Sequence, residues 1–382
     1  MIAAGLLSGY LPYGASDSST HRATLLDQRA YWNSHRGMRA FTVLGLILVS
    51  VLTVSCGRDS SREVTDHQSS TFDASSEAVR TRAEEIGTAV LLILKDGREV
   101  FQFGDITRKY MCHSIRKPFL GSLYGIYRDR GIISLDLTLT ELGIDDIPPS
   151  LTDEEKGATI RDLLMSRSGV YHEAGGEAQS MIDARPLRGS HKPGTFFYYN
   201  NWDFNALGTI FEQLTGQSIF EAFHQDIAVP IGMEDFSPED CTYVTEPEKS
   251  AHASYSFRMS SRDMARFGLL YENGGYWGGR EIVPRSWIEE SATVYRVENP
   301  AGDPYGYLWR IIPPEAGLGH GFYHSGLGVH LLAVLPEHDL VVVHRVDTDR
   351  PFQTTWPQIK ELLELAVGEL GLIELGEGAE VQ

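Results

Sequence analysis

Strand-like segments near both ends of the chain constrain its fold most strongly. Residues 89–94 and 100–103 are largely apolar runs separated by Asp96-Gly97, a dipeptide typical of tight hairpin turns. Residues 328–335 and 340–346 form a second pair, joined by the turn at residues 336–339. With helices predicted between the two pairs, we expect one antiparallel sheet assembled from segments that are distant in the sequence.

Helical periodicity accounts for the other regular segments. Residues 77–86 are predicted to be helical, and residues 130–255 form a helical insert that also contains loops. Residues 356–370 form an amphipathic helix whose apolar stripe consists of Ile359, Leu362, Leu363, Leu365, Ala366 and Leu370. The predicted fold class is therefore α+β, an α/β-type sandwich in which helices flank the antiparallel sheet.

The beginning of the chain has the pattern of an export signal. Residues 40–55 are an apolar run that follows Met38-Arg39 and ends at Cys56-Gly57, and they are too short to span a bilayer comfortably. We therefore interpret residues 38–56 as a signal peptide. Its end resembles the bacterial lipobox, in which Cys56 would carry lipid, but Thr53 stands where leucine is usual. Lipidation, ordinary signal-peptidase cleavage and an uncleaved anchor all stay open.

The predicted domain spans residues 77–370, and three further segments lie outside it. Residues 1–37 fit no part of a signal peptide, so we interpret them as an overlong gene start or an extended leader. Residues 57–76 are rich in Ser, Asp, Thr, Arg and Glu, which predicts a flexible tether. Residues 371–382 form a polar tail.

Charge and cysteine content narrow the possible partners. The formal net charge of -19 over 382 residues argues against binding to nucleic acid or to anionic lipid surfaces. The three cysteines make no even disulfide framework, and no Cys-x-x-Cys or Cys/His cluster suggests structural zinc. We expect a small or neutral partner and no cofactor or metal.

The tetrad Ser114-Ile115-Arg116-Lys117 offers a nucleophile and a base. Positions three apart on a helix are neighbours, so the amine of Lys117 can reach the hydroxyl of Ser114 if the segment is helical. Pro118 is tolerated only in the first turn of a helix, so the helix should begin close to Ser114 and place it at the positive end. Lys117 works as a base only if burial or nearby charge lowers its pKa.

Cys112 and His113 offer a competing nucleophile and base just before the tetrad. Adjacent side chains on one element point apart rather than towards each other, which favours Ser114 over Cys112.

Two later motifs accompany the tetrad. Residues 193–201 read PGTFFYYNN, and His324-Ser325-Gly326 leads into a strand. The order Ser-x-x-Lys, Tyr-x-Asn, His-x-Gly resembles the serine β-lactamase and penicillin-binding-protein superfamily over residues 77–370. The most similar branch is the class C β-lactamase-related one of esterases, D-aminopeptidases and DD-peptidases. Secondary landmarks agree with this resemblance at residues 163–170 (LLMSRSGV), 259–268 (MSSRDMARFG), 273–275 (NGG) and 305–309 (YGYLW).

The tyrosine motif occurs in two overlapping registers, from Tyr198 or from Tyr199. The branch pattern PGxxFxYxN aligns Tyr199 and Asn201 and leaves Tyr198 as a packed neighbour.

The resemblance implies a role for each of four side chains. Ser114 would attack a carbonyl to form an acyl-enzyme, while Lys117 and Tyr199 would share the proton transfers. Asn201 would orient the Lys117 amine and bind a substrate amide. A buried asparagine that only satisfies a loop is the alternative for Asn201.

The last motif would complete the site. His324 stands where β-lactamases carry lysine, and a histidine that is only partly charged near neutral pH makes strong β-lactamase activity less favoured. The backbone N–H groups of Ser114 and Leu327 would form the oxyanion hole, with Ser325 and Gly326 lining the substrate strand and Gly326 allowing close approach.

Three more histidines, His320, His330 and His344, lie near this motif without carboxylates or cysteines at ligand spacing. We interpret them as surface or packing residues rather than metal ligands.

The sequence thus predicts a metal-independent serine hydrolase acting on a small ester, amide or peptide. We expect it to be exported to the bacterial cell envelope and attached to the membrane through a lipidated N-terminus. Two alternatives remain: a DD-peptidase or D-aminopeptidase acting on cell-wall peptides, and a non-catalytic module that binds peptidoglycan or a β-lactam. The insert and the loop after Gly169 would set substrate choice.

Overall fold

The computed structural model describes residues 67–295, 297–299 and 304–373, with the described side chains in residues 76–295, 297–299, 304–314 and 316–373. The strands are β1 (Val90–Lys95), β2 (Arg98–Gly104), β3 (Tyr110–Met111), β4 (Thr242–Val244), β5 (Ser254–Ser256), β6 (Arg258–Met259), β7 (Tyr276–Trp277), β8 (Arg280–Glu281), β9 (Arg310–Ile311), β10 (Phe322–Gly326), β11 (His330–Leu335) and β12 (Leu340–Arg345). The α-helices are α1 (His67–Glu85), α2 (Arg116–Asp129), α3 (Leu139–Leu142), α4 (Ile160–Leu164), α5 (Gln179–Ala184), α6 (Asn201–Thr215), α7 (Ile219–Phe223), α8 (Ser261–Glu272), α9 (Arg285–Ser291) and α10 (Trp356–Glu369).

One six-stranded sheet runs in the order β2-β1-β12-β11-β10-β9, and each of its pairings is antiparallel. The turn between β1 and β2 has positive φ at both Asp96 (52°) and Gly97 (69°), the backbone that tight hairpins need. Strand β1 pairs with β12, so that Val90 lies opposite Arg345. The predicted antiparallel sheet built from both ends of the chain is therefore confirmed.

The sheet buries both of its faces. Side chains alternate along a strand, so Leu92, Leu332 and Val341 face one core and Leu91, Leu331 and Val342 face the other. The first core is shared with α2, α6 and α8, and the second with α1 and α10. Each fully buried Leu or Val contributes about 2 kcal/mol through loss of apolar surface from water. The layers form the predicted sandwich of helices around an antiparallel sheet.

The predicted helical insert, residues 130–255, contains α3 to α7. It also contains a two-stranded sheet, β4-β5, which the sequence pattern does not predict. Strand β4 has only three residues and all of them are exposed, so no alternation of apolar and polar residues marks it.

The first helix begins earlier than predicted, at His67 rather than residue 77, inside the range predicted to be a flexible tether. Residues 67–76 (HQSSTFDASS) are mostly polar, so no apolar period signals a helix there. The described residues from Ala74 onward belong to one compact unit, and helical residues 67–73 precede it.

Several predictions concern other parts of the chain. The leader (1–37), the signal peptide with Cys56 (38–56) and most of the polar tail lie outside the described residues. Among the helices that the structure does describe, none has the length and apolar character needed to cross a bilayer.

Candidate active site

Ser114 lies in a 3-10 turn, His113–Ile115, that runs directly into α2. Pro118 lies in the first turn of α2. A backbone N–H there would have no acceptor within the helix, so the missing N–H of proline costs no helical hydrogen bond. The helix thus begins beside Ser114 as predicted, and the hydroxyl lies at the positive end of the helix dipole.

Lys117 lies one turn further along, with only 1% of its surface exposed. Its amine donates to Ser114 Oγ at 2.8 Å and to Tyr199 Oη at 2.7 Å. Burial lowers the pKa of Lys117 well below its usual value, and the positive charges of Arg116 and Arg310 lower it further. Both effects favour the neutral amine that a lysine base requires.

The loop that carries Tyr199 is held by Ser166 on both sides. The Tyr198 N–H donates to Ser166 O at 3.0 Å, while Ser166 Oγ donates to Tyr198 O at 2.8 Å. The Asn200 N–H donates to Ser166 Oγ at 2.9 Å. Asn200 then caps helix α6 by accepting from the Trp202 N–H at 3.1 Å. These bonds fix the backbone immediately before and after Tyr199.

The two tyrosines of the motif have different surroundings. The hydroxyl of Tyr198 is directed away from Lys117 and donates to Met181 O at 2.7 Å. Tyr199 is the tyrosine that contacts Lys117, which agrees with the register predicted from PGxxFxYxN.

Asn201 differs from the prediction. Its Nδ2 donates to Gly176 O at 2.8 Å, its Oδ1 is buried without a hydrogen-bond partner, and no hydrogen bond joins it to Lys117 in the described part of the chain. Asn201 is the first residue of α6, and its carboxamide contacts the loop at Gly176. Lys117 is oriented here by Ser114 and Tyr199 instead.

His324 lies within β10 and is fully buried. Its Nδ1 lies 2.9 Å from Ser325 O, and its ring centroid lies 6.3 Å from that of Tyr199. Burial lowers the pKa of His324 well below its usual value, and the positive charge of Arg310 lowers it further. The imidazole is therefore neutral near pH 7, and not partly charged as the sequence analysis expected.

The end of β10 packs against the residues that precede Ser114. A Cβ atom on Gly326 would lie 3.0 Å from Cys112 O and 3.1 Å from His113 Cβ, so glycine permits the close approach. Ser325 is buried, whereas the side chain of Leu327 is 63% exposed on the turn that follows. The predicted oxyanion segment and the nucleophile turn are thus in direct contact.

Arg310 and Phe204 also line the site, although neither was assigned to it from the sequence. The guanidinium carbon of Arg310, on β9, lies 5.0 Å from the ring centroid of Tyr199. The ring of Phe204, on α6, lies 4.4 Å from Lys117 Nζ. Arg310 directly follows the YGYLW landmark, and Phe204 follows Asn201 by three residues, so both stood next to recognised motifs.

The competing Cys112 and His113 pair is not assembled. Cys112 is fully buried, which raises the pKa of its thiol, and the His113 ring contacts Thr348 instead. His330 and His344 are buried packing residues. Within the described residues, no group of three or more His, Cys, Asp or Glu side chains is placed to hold a metal ion.

Comparison with known proteins shows one family and one curated relative that this chain is similar to. The model of the Beta-lactamase family matches residues 76–363. A D-aminopeptidase of Brucella anthropi is 30% identical over 165 residues, which are 37% of this chain and 31% of that protein. The chain therefore matches about a third of that relative's length.

Solved structures show the same fold at low sequence identity. The octameric penicillin-binding protein homologue from Pyrococcus abyssi superposes with a TM-score of 0.55 at 22% identity, covering 77% of this chain and 76% of that one. A penicillin binding protein from Bacillus halodurans gives a TM-score of 0.56 at 16% identity, covering 75% of this chain and 98% of that one.

Proposed function

This chain belongs to the Beta-lactamase family, a family of serine hydrolases, and we propose that it cleaves an ester or amide through an acyl-enzyme on Ser114. The observation that carries the proposal is the position of Lys117, whose buried amine bridges the hydroxyls of Ser114 and Tyr199. A buried lysine with a lowered pKa holds a neutral amine that accepts a proton, which is what an activated serine requires.

Acylation follows from this geometry. Neutral Lys117 takes the proton of Ser114 as Oγ bonds to the substrate carbonyl carbon, and the carbonyl electrons move to oxygen. The N–H groups of Ser114 and Leu327 donate to that oxyanion. When the carbon–leaving-group bond breaks, Tyr199 gives its proton to the leaving group and recovers one from the Lys117 ammonium.

Deacylation runs through the same groups. A water molecule loses a proton to neutral Lys117, through Tyr199, and its oxygen bonds to the acyl carbon. Collapse of the second tetrahedral intermediate breaks the acyl bond and returns the proton to Ser114 Oγ. The enzyme then regains its starting protonation.

The neutral imidazole of His324 supports esters and uncharged amides over β-lactams. A lysine at this place recognises a substrate carboxylate by charge, and a neutral histidine offers only a hydrogen bond. We therefore propose an esterase-like or peptidase-like enzyme with weak β-lactamase activity.

A second candidate is D-aminopeptidase activity, which is favoured by one observation, the similarity to the Brucella anthropi D-aminopeptidase. Export to the cell envelope, with lipid on Cys56, is proposed from the signal-like pattern of residues 38–56.

Intact-mass spectrometry after a fluorophosphonate probe tests the proposal, with Ser114→Ala as the control and a fluorescent penicillin in parallel. We expect one adduct from the fluorophosphonate that disappears in Ser114→Ala. An additional penicillin adduct would favour the DD-peptidase alternative. Labelling by neither reagent would reject the hydrolase and favour a non-catalytic binding module.

A further inference from the structure

The residue before the candidate nucleophile has an unfavourable backbone. His113 adopts a left-handed conformation with φ 48°, which costs energy in a residue other than glycine and persists only where neighbouring contacts hold it. Because His113 directly precedes Ser114, its conformation sets the direction of the Ser114 N–H. What holds His113 therefore also holds one predicted donor of the oxyanion hole.

Thr348 provides that contact from the far end of the chain. The His113 Nε2 and Thr348 Oγ1 atoms share a hydrogen bond of 2.8 Å. Burial, followed by the charge of Arg345, lowers the pKa of His113 to about 4. The ring is thus neutral near pH 7, with one nitrogen protonated and the other free to accept.

The opposite side of Thr348 packs against the second predicted donor. Gly328 has φ 81°, and a Cβ atom there would lie 2.3 Å from Thr348 Cγ2. Gly328 follows Leu327 in the turn between β10 and β11, so the Thr348 methyl group lies directly against the segment that carries the Leu327 N–H. One side chain thus contacts both segments that would form the oxyanion hole.

Ion pairs on either side fix the position of Thr348. Arg108 Nη2 lies 2.7 Å from Asp347 Oδ2, and Arg258 Nη1 lies 3.2 Å from Asp349 Oδ1. The Thr348 N–H donates to Val346 O at 3.1 Å. The segment is therefore tied to the chain just before β3 and to β6, which pairs with β3, and β3 leads into the nucleophile turn.

A buried arginine, Arg345, holds His330, the second side chain that contacts the His113 ring. The rings of His113 and His330 meet edge to face with centroids 5.3 Å apart. Fully buried Arg345 donates from Nε to His330 Nδ1 at 2.8 Å and from Nη2 to Met111 O at 3.0 Å. The His113 ring thus lies between a fixed imidazole and the Thr348 hydroxyl.

We propose that Thr348 is a positioning residue for the oxyanion hole, holding the Ser114 and Leu327 N–H groups in the separation that the tetrahedral intermediate needs. The inference rests on the proposed acyl-enzyme function. Thr348 itself does not touch the reacting atoms; it acts through His113 and Gly328.

Two variants of Thr348 and one matched control test the proposal in the full chain. Thr348→Val removes the hydroxyl that bonds to His113 and keeps the methyl group against Gly328. Thr348→Ser keeps the hydroxyl. Thr140→Val is the control, because Thr140 Oγ1 donates to Lys156 O at 3.1 Å within the insert.

We expect Thr348→Val to lower kcat for an activated ester about ten-fold with KM unchanged, because the oxyanion hole binds the intermediate more tightly than the substrate. Thr348→Ser keeps the bond to His113 but loses the methyl contact with Gly328, so it should lower kcat only about three-fold, while Thr140→Val should keep kcat within about two-fold of the wild type. The preference for an oxygen ester over its thiono analogue should fall in Thr348→Val, since sulfur is a weaker acceptor for the same donors.

The outcomes separate the two claims. If Ser114→Ala abolishes turnover and Thr348→Val retains wild-type kcat and thiono preference, the positioning role is rejected and the proposed function stands. Loss of activity in Thr348→Val and Thr348→Ser alike, with equal loss of thermal stability, would also reject it in favour of a purely structural role. Full activity in Ser114→Ala would overturn both claims.

Discussion

The Lys117 amine donates a hydrogen bond of 2.7 Å to the hydroxyl of Tyr199, 82 residues further along the chain. The same amine donates to Ser114 Oγ, so one buried nitrogen connects the helix that carries the nucleophile with the loop before α6. The bridge therefore couples the nucleophile to a residue of the insert.

Replacing Lys117 with methionine should remove the base. We expect Lys117→Met to lower kcat/KM for an activated ester by about 10²- to 10⁴-fold, since a positioned general base contributes that much. Steady-state hydrolysis measures the effect, with Lys156→Met as the control because Lys156 pairs with Asp145 at the surface of the insert. A Lys117→Met enzyme of wild-type activity would exclude lysine as the base.

The same variant should change stability in a pH-dependent way. Because the folded-state pKa of Lys117 is lowered, the unfolded chain binds more protons below the ordinary lysine pKa, and protonation there opposes folding. Lys117→Met should therefore have a higher free energy of unfolding than the wild type at pH 7. The gap should narrow as the pH rises toward about 10.4, where the unfolded lysine also loses its proton. Urea unfolding at several pH values measures it, and a gap independent of pH would contradict the lowered pKa.

The two neighbouring tyrosines provide a matched pair. Tyr199→Phe should lower kcat by about 10²-fold, because the phenol that relays the proton to the leaving group is lost. Tyr198→Phe should keep wild-type kcat while losing about 1 kcal/mol of stability with its hydrogen bond to Met181. Ester hydrolysis and thermal unfolding of both variants distinguish them. If Tyr198→Phe lost activity and Tyr199→Phe kept it, Tyr198 would be the tyrosine of the motif.

Replacing Arg116 should shift the pH dependence of kcat/KM. Burial is the largest cause of the lowered pKa of Lys117, and the positive charge of Arg116 is the next. Arg116→Gln should therefore move the acid limb of kcat/KM to higher pH, because the amine then holds its proton more strongly. Arg280→Gln, an exposed surface change, serves as the control. If the acid limb of kcat/KM stays at the same pH in Arg116→Gln, protonation of Lys117 does not set it.

His324 should not titrate in the working range. Burial and the positive charges of Arg310 and Arg116 lower its pKa, so its ring signals in NMR should stay constant between pH ~6 and ~8, where free histidine titrates near 6.5. His324→Lys should cost about 3 kcal/mol of stability, because it buries a cation without a partner. A titrating His324 signal would instead restore the partly charged histidine that the sequence analysis expected.

Much of the site follows from local chemistry. Pro118, placed just after Ser114 and Lys117, predicts a helix start at that place, and a helix brings positions three apart together. Asp96-Gly97 predicts the hairpin, and the apolar runs on both sides favour burial. Errors arose where composition was uninformative, as in the polar first turns of α1, or where strands were too short to alternate, as in β4.

Contacts between distant segments could not be predicted in this way. The family resemblance implies that Asn201 orients Lys117, but the Asn201 side chain bonds to Gly176. No motif marks Arg310 or Thr348 as part of the site. Each of these positions depends on how the insert and the last strands pack on the sheet, and no spacing along the chain encodes that distance.

The amino-acid sequence alone determined that Ser114 and Lys117 share one helix start and that both chain ends supply strands, because backbone sterics and side-chain periodicity act over a few residues. Folding determined the rest. Closing β1 against β12 and packing α6 beside α2 bring Tyr199 to Lys117 and Thr348 to His113, and they remove the lysine amine from water. The lowered pKa of Lys117 exists only in that packed interior, because desolvation is a property of the surroundings and not of the residue.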